Sequence, residues 1–112
     1  MRATGTKKKS KSELEAAFQK DAKETILSMG GYPIKIHVSA YQSQGEPDLV
    51  CCFLGRFVAF ELKIDDNKPS ALQQEKIEDI KRAGGIAKPV WSINEIKETL
   101  YEISRIQQDG KS

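Results

Sequence analysis

Two apolar runs separated by one glycine constrain this chain more than any other feature. Residues 48–54 read Asp-Leu-Val-Cys-Cys-Phe-Leu, Gly55 follows, and Arg56-Phe57 leads into a second run ending at Ile64. The pair predicts a β-hairpin. A two-residue Gly55-Arg56 loop with glycine first suits it and sets a register: Leu54 opposite Phe57, Val50 opposite Glu61, and Asp48 opposite Lys63. Opposed residues share a sheet face, and Glu61 and Lys63 share one through the two-residue period of a strand. Asp48, Glu61 and Lys63 are therefore expected on one side. The other side of the second run is Val58, Phe60, Leu62 and Ile64, wholly apolar, and needs a helix to cover it.

The flanking chain supplies the frame. Leu14, Phe18, Ala22, Thr25, Ile26 and Met29 fall in one arc at ~100° per residue, which predicts a first helix from near Ser12, stopped by Gly30-Gly31. Glu15 falls inside that buried arc and Glu13 outside it. Ser12-Glu13-Leu14-Glu15 has the pattern of a capping box, which would account for Glu15; an active site lying against this helix is the other account. Tyr32–Val38 predicts a first strand, with Ile34, Ile36 and Val38 inward and Pro33, Lys35 and His37 on the other face. A polar loop spans 39–47. After the hairpin, another polar loop leads to a second helix from Ser70 to about Ala83, with Leu72, Ile77, Ile80 and Ala83 as its stripe and Ser70-Ala71-Leu72-Gln73 as a second capping box. Ile86–Trp91 predicts a fourth strand. Ser92-Ile93-Asn94-Glu95 caps a third helix, whose stripe is Ile93, Ile96, Leu100, Ile103 and Ile106. The strand–helix–strand unit over 57–91 implies a parallel pair with a right-handed crossover, so the sheet is mixed.

One domain fits 112 residues: a basic arm at 1–11, a folded unit at 12–107 and a frayed tail at 108–112. No run approaches the ~20 apolar residues of a bilayer span, and no apolar stretch follows Lys7-Lys8-Lys9 as in a secretory signal. The expected location is cytoplasmic. Cys51 and Cys52 are adjacent, a spacing that suits neither zinc nor an ordinary disulfide, and read as strand residues. The net charge is only +2, from 18 basic and 16 acidic residues. However, the arm carries Arg2, Lys7, Lys8, Lys9 and Lys11 with no acid among them, and such an arm can touch phosphates or simply stay solvated. Lys35, His37, Gln44 and Arg56 are further candidate DNA contacts.

Two carboxylates and a lysine on one sheet face repel or pair. A surface salt bridge is one resolution and contributes little. A divalent cation between Asp48 and Glu61 is the other. Hard oxygen ligands with open water positions are how Mg²⁺, or Mn²⁺ in its place, meets a substrate phosphate. Such a cation polarises the phosphate and activates water, while Lys63 orients that water or stabilises developing charge.

Pro47-Asp48, a hairpin's length of spacing, and Glu61-Leu62-Lys63 resemble the signature of the PD-(D/E)xK phosphodiesterase superfamily. Gly45-Glu46-Pro47-Asp48, Gly55-Arg56-Phe57 and Ser70-Ala71-Leu72-Gln73 extend the resemblance to its VRR-NUC (virus-type replication-repair nuclease) branch. Lys35-Ile36-His37 through Gln44-Gly45 is similar to small stand-alone phage members. The resemblance covers about residues 12–100. It implies an α/β, restriction-endonuclease-like αβββαβα core with helices flanking a mixed sheet. By position, Asp48 and Glu61 match the metal-binding acids and Lys63 the catalytic lysine. Glu15 matches the N-terminal acid near the metal, and Gln73 the supporting glutamine. Glu46 departs from the pattern, where a smaller or apolar residue is expected. The implied activity is Mg²⁺- or Mn²⁺-dependent DNA cleavage by a homodimer acting on Holliday junctions or other branched or flap DNA. A non-catalytic DNA-binding module of the same fold, or a nuclease for RNA or simple duplex ends, are the alternatives.

Overall fold

The hairpin forms, but one residue earlier than the sequence suggests. In the computed structural model, which describes residues 9–37 and 45–109, Phe53 pairs with Arg56 and the loop is Leu54-Gly55. Both loop residues have positive φ, 52° and 78°. A turn with φ above zero at both central positions matches the right-handed twist of the strands it joins and favours glycine second. That preference moves the loop back from Gly55-Arg56. The expected pairing of Asp48 with Lys63 is corrected accordingly. Leu49 faces Phe60, so one further step places Asp48 opposite Glu61, and Val50 faces Ala59 rather than Glu61. Each pairing shifts by two residues, so every side chain keeps its face. A leucine in the left-handed region is disfavoured by roughly 1–2 kcal/mol. Leu54→Asn is expected to raise stability by about 1 kcal/mol, read from urea unfolding.

The chain order is α1 (Lys11–Ser28), β1 (Tyr32–Lys35), β2 (Leu49–Phe53), β3 (Arg56–Leu62), α2 (Ala71–Arg82), β4 (Ile86–Val90) and α3 (Ile93–Asp109). The sheet runs β1-β2-β3-β4, antiparallel through β3 and parallel between β3 and β4. This is the expected mixed α/β sheet between helices. Its main core joins Ala22 and Ile26 of α1, Ile96, Leu100 and Ile103 of α3, and Leu49, Phe53, Val58, Phe60 and Val90 of the sheet. The apolar face of β3 is thus covered by two helices. On the opposite face α2 sets Ile77 over Ala59 and Ala87.

That second layer is narrow, and this overturns part of the predicted core. Ile34 lies on the edge strand beyond the reach of α2 and is 49% exposed. Leu14 and Ile106, at the outer ends of their helices, are also exposed. Cys51 is buried and Cys52 exposed, both free thiols. Burial pushes the Cys51 thiol up to about 11, which leaves it inert. No helix among the described residues is long and apolar enough to cross a membrane. Val38, Lys7, Lys8, Gln44, most of the arm and residues 110–112 lie outside the described residues.

Candidate active site

The end of β3 carries an acid that the core should not tolerate. Glu61 is 3% exposed on the side of the sheet that α2 covers. Its carboxyl is pushed up to about 8, first by burial and then by the neighbouring charge of Asp48; Lys63 and the Gln73 amide pull the other way. Gln73 Nε2 donates to Glu61 Oε2 at 2.6 Å, and Lys63 Nζ lies 3.8 Å from the same oxygen. Asp48 approaches closely enough for a hydrogen bond between the two carboxyl groups. Its Oδ2 accepts from the Leu62 N–H at 2.8 Å. The Lys63 N–H donates to Val90 O at 2.9 Å, so β4 fixes the backbone that carries the lysine.

Gln73 serves both readings of its position. Its Oε1 accepts from the Ser70 N–H at 2.9 Å, and its own N–H donates to Ser70 Oγ at 3.1 Å. The amide nitrogen remains for Glu61. One side chain therefore closes the helix and holds the acid.

The first helix is capped differently from the expected Ser12–Glu15 pattern. Ser10 is the N-cap, and Glu13 completes the box by accepting from the Ser10 N–H at 2.8 Å. That bond holds the Glu13 carboxyl below its usual range. Glu13 is thus occupied, and Glu15 is relieved of capping. Glu15 is also exposed rather than buried. It lines a cleft of about 330 Å³ together with Ser12, Phe18, Gln19, Asp48 and Leu62. Glu61 and Lys63 are not on that lining. Among the described residues, no three acidic, histidine or cysteine side chains stand ready grouped around a metal position.

The loop before Asp48 is clamped to α2. Gly45 has φ 87°, and a Cβ there would stand 2.8 Å from Leu72 Cγ and 3.1 Å from the Leu72 carbonyl carbon and oxygen. Glu46, the departure from pattern, pairs with Lys76 at 3.7 Å. Lys76 was not among the candidates, although it follows Gln73 by three residues and so shares its helix face. Gly45→Ala combines a left-handed φ with a backbone clash. It is expected to lower stability by about 1–3 kcal/mol, read from urea unfolding.

The remaining candidates are dispersed. Lys35 and His37 line a groove of about 630 Å³ with Glu46, Pro47, Phe57 and Ile80. Arg56 opens β3, at the far end from Glu61. Lys9 is exposed just before α1.

Solved structures share this architecture. A structure titled "VRR_NUC domain" superposes with a TM-score of 0.66 at 26% identity, covering 78% of this chain and 94% of that one. The fold is that of the VRR-NUC domains of the PD-(D/E)xK nuclease superfamily. A "VRR_NUC domain protein" is similar over 92% of this chain and 89% of that one, with a TM-score of 0.59 and 21% identity. The Holliday junction resolvase Hjc of Archaeoglobus fulgidus is similar at a TM-score of 0.57 and 18% identity, over 69% of this chain and 67% of that one. No family model matches the sequence, and no curated protein does. In the VRR-NUC fold of this chain, Asp48, Glu61, Lys63 and Gln73 meet where the hairpin, β4 and the start of α2 converge.

Proposed function

We propose that this chain is a metal-dependent DNA endonuclease acting on branched DNA. The buried Glu61, paired with Asp48 and flanked by Lys63 and Gln73, carries the reading. A buried acid held against a second carboxylate is unfavourable unless protonated or given a cation. Two hard carboxylates match the habit of Mg²⁺ or Mn²⁺, which keep several waters and take the rest of their shell from substrate phosphate. A site of two close acids fits that donor set. Asp48 and Glu61 would hold the metal, and Glu15 would approach from α1 across the shared cleft. When bound, the cation neutralises charge on the phosphodiester and lowers the pKa of water.

The chain's own residues do the rest. Gln73 fixes the Glu61 rotamer, and the Leu62 amide fixes Asp48. Lys63 is positioned to orient a water or to stabilise charge developing on the phosphate. Lys9, Lys35 and His37, with Lys7 and Lys8 of the basic arm, would contact the DNA backbone, which such contacts position without reading sequence. The similarity to a Holliday junction resolvase supports branched DNA, and a four-way junction, which presents two equivalent strands, suits a twofold homodimer.

The test incubates four-way junction, flap, duplex and single-stranded DNA, and an RNA duplex, with and without Mg²⁺ or Mn²⁺. Expected is metal-dependent incision of the branched substrates, lost in Glu61→Ala. Binding without cleavage of any substrate would leave a non-catalytic module instead. Light scattering tests the dimer, and a monomer at micromolar concentration would remove it.

A further inference from the structure

A second groove, of about 380 Å³, lies between α2 and the β4 edge, and nothing in the site described above uses it. Trp91 is the only tryptophan of the chain and lines it beside Pro69, Ile77, Pro89, Lys68 and Lys81. Trp91 is held at its ring and at its backbone. Its Nε1 donates to Asn67 O at 2.8 Å, and its backbone N–H donates to Glu95 at 2.6 Å. The side chain's single polar hydrogen is therefore spent, yet Trp91 remains 38% exposed. What it offers is a rigid aromatic surface. Pro69, Pro89 and Ile77 add apolar surface beside it, and Gln74, Glu78 and the two lysines make up the polar part of the lining. Lys81 neutralises Glu78 at 3.3 Å. Lys68 is exposed and makes no ion pair among the described residues.

We propose that this groove is a subsite for an unpaired nucleotide, its base stacked on Trp91 and its phosphate against Lys68. An aromatic platform next to an uncompensated cation is how single strands are held, because every base has a π-face and every link a phosphate. Paired bases bury those faces in the duplex stack, so the groove selects unpaired nucleotides. Gln74 at the rim supplies an amide for a base edge. The location agrees with this use. Pro89 is the register partner of Glu61, and Trp91 follows Val90, whose carbonyl holds the Lys63 amide. An unpaired nucleotide here would lie at the same end of the sheet as the scissile phosphate, as a branch point requires. The choice of nucleic acid as ligand rests on the nuclease reading above.

The lone tryptophan makes the test direct. Full-length protein in EDTA is titrated with an oligothymidylate of about eight nucleotides and with a duplex of equal length, following tryptophan emission. Quenching by the single strand and little by the duplex is expected. In parallel, anisotropy of a labelled single strand should show affinity falling about ten-fold in Trp91→Ala and distinctly less in Trp91→Phe, which keeps a stacking ring but loses the bond to Asn67. Lys68→Ala should reduce the salt slope by about one. Equal quenching by duplex, or no quenching by either, overturns the proposal, as does an equal loss in both Trp91 variants. Binding is read without metal and cleavage in the separate incubation with Mg²⁺ or Mn²⁺, so quenching in EDTA with no cleavage in that incubation would sink the nuclease reading alone, and junction cleavage without quenching would sink the subsite alone.

Discussion

Lys63→Ala is expected to lower Mg²⁺-dependent cleavage of a four-way junction by about 10²–10³-fold, the usual loss when one donor to developing charge is removed. Binding of the same junction in EDTA should remain, because one partly buried ammonium among many phosphate contacts adds little to affinity. The fold should also persist. Lys63 lies beyond the last residue of β3, its side chain is 16% exposed, and its backbone bond to Val90 is unaffected by the substitution. Lys63→Arg is not expected to rescue activity, since the planar guanidinium replaces a compact point charge 3.8 Å from Glu61. Single-turnover cleavage, together with melting of both variants, checks this. Wild-type rates in Lys63→Ala would assign the lysine to ion pairing with Glu61 and nothing more.

Much of this site is legible in the chain because strand geometry has a period of two. The predicted loop was displaced by one residue, yet Asp48, Glu61 and Lys63 stayed on one face, since moving a two-residue loop by one shifts pairing by two. The partner of Asp48 could not be read the same way. It depends on whether glycine takes the first or second loop position, and only the positive φ of Leu54 decides that. The first helix shows the opposite weakness. Ser10 and Ser12 both offer a capping hydroxyl followed three residues later by an acid, and they differ only in which turn nucleates. Periodicity cannot choose between them, and the arc that holds Glu15 is the same for either cap; at the first turn that arc faces an open cleft beside Asp48 instead of the core. Glu46 was the departure without an account. Its reason is the ion pair with Lys76, a contact between a loop and a helix that periodicity within either segment cannot reveal.

Glu61 should also make the metal-free protein pH-sensitive above the usual carboxylate range. Its folded pKa is raised to about 8 from an ordinary 4.5, so folding favours the protonated form. Below about pH 4.5 the residue is protonated folded or unfolded, and this contribution is fully present. As pH rises towards 8 the unfolded chain releases the proton while the folded protein retains it or accepts a buried anion, and stability falls. The loss is of the order of a few kcal/mol, most of it between pH 5 and 8. Urea unfolding in EDTA across that window measures it, and Glu61→Gln should flatten the profile. Metal binding needs the carboxylate deprotonated. Millimolar Mg²⁺ should therefore restore stability at pH 7.5–8, by roughly 2.7 kcal/mol at one hundred times its dissociation constant, and do nothing for Glu61→Gln. A profile that is flat in EDTA for the wild type would mean that Glu61 is solvated well enough to ionise freely. The case for a cation between Asp48 and Glu61 would then lose its physical basis.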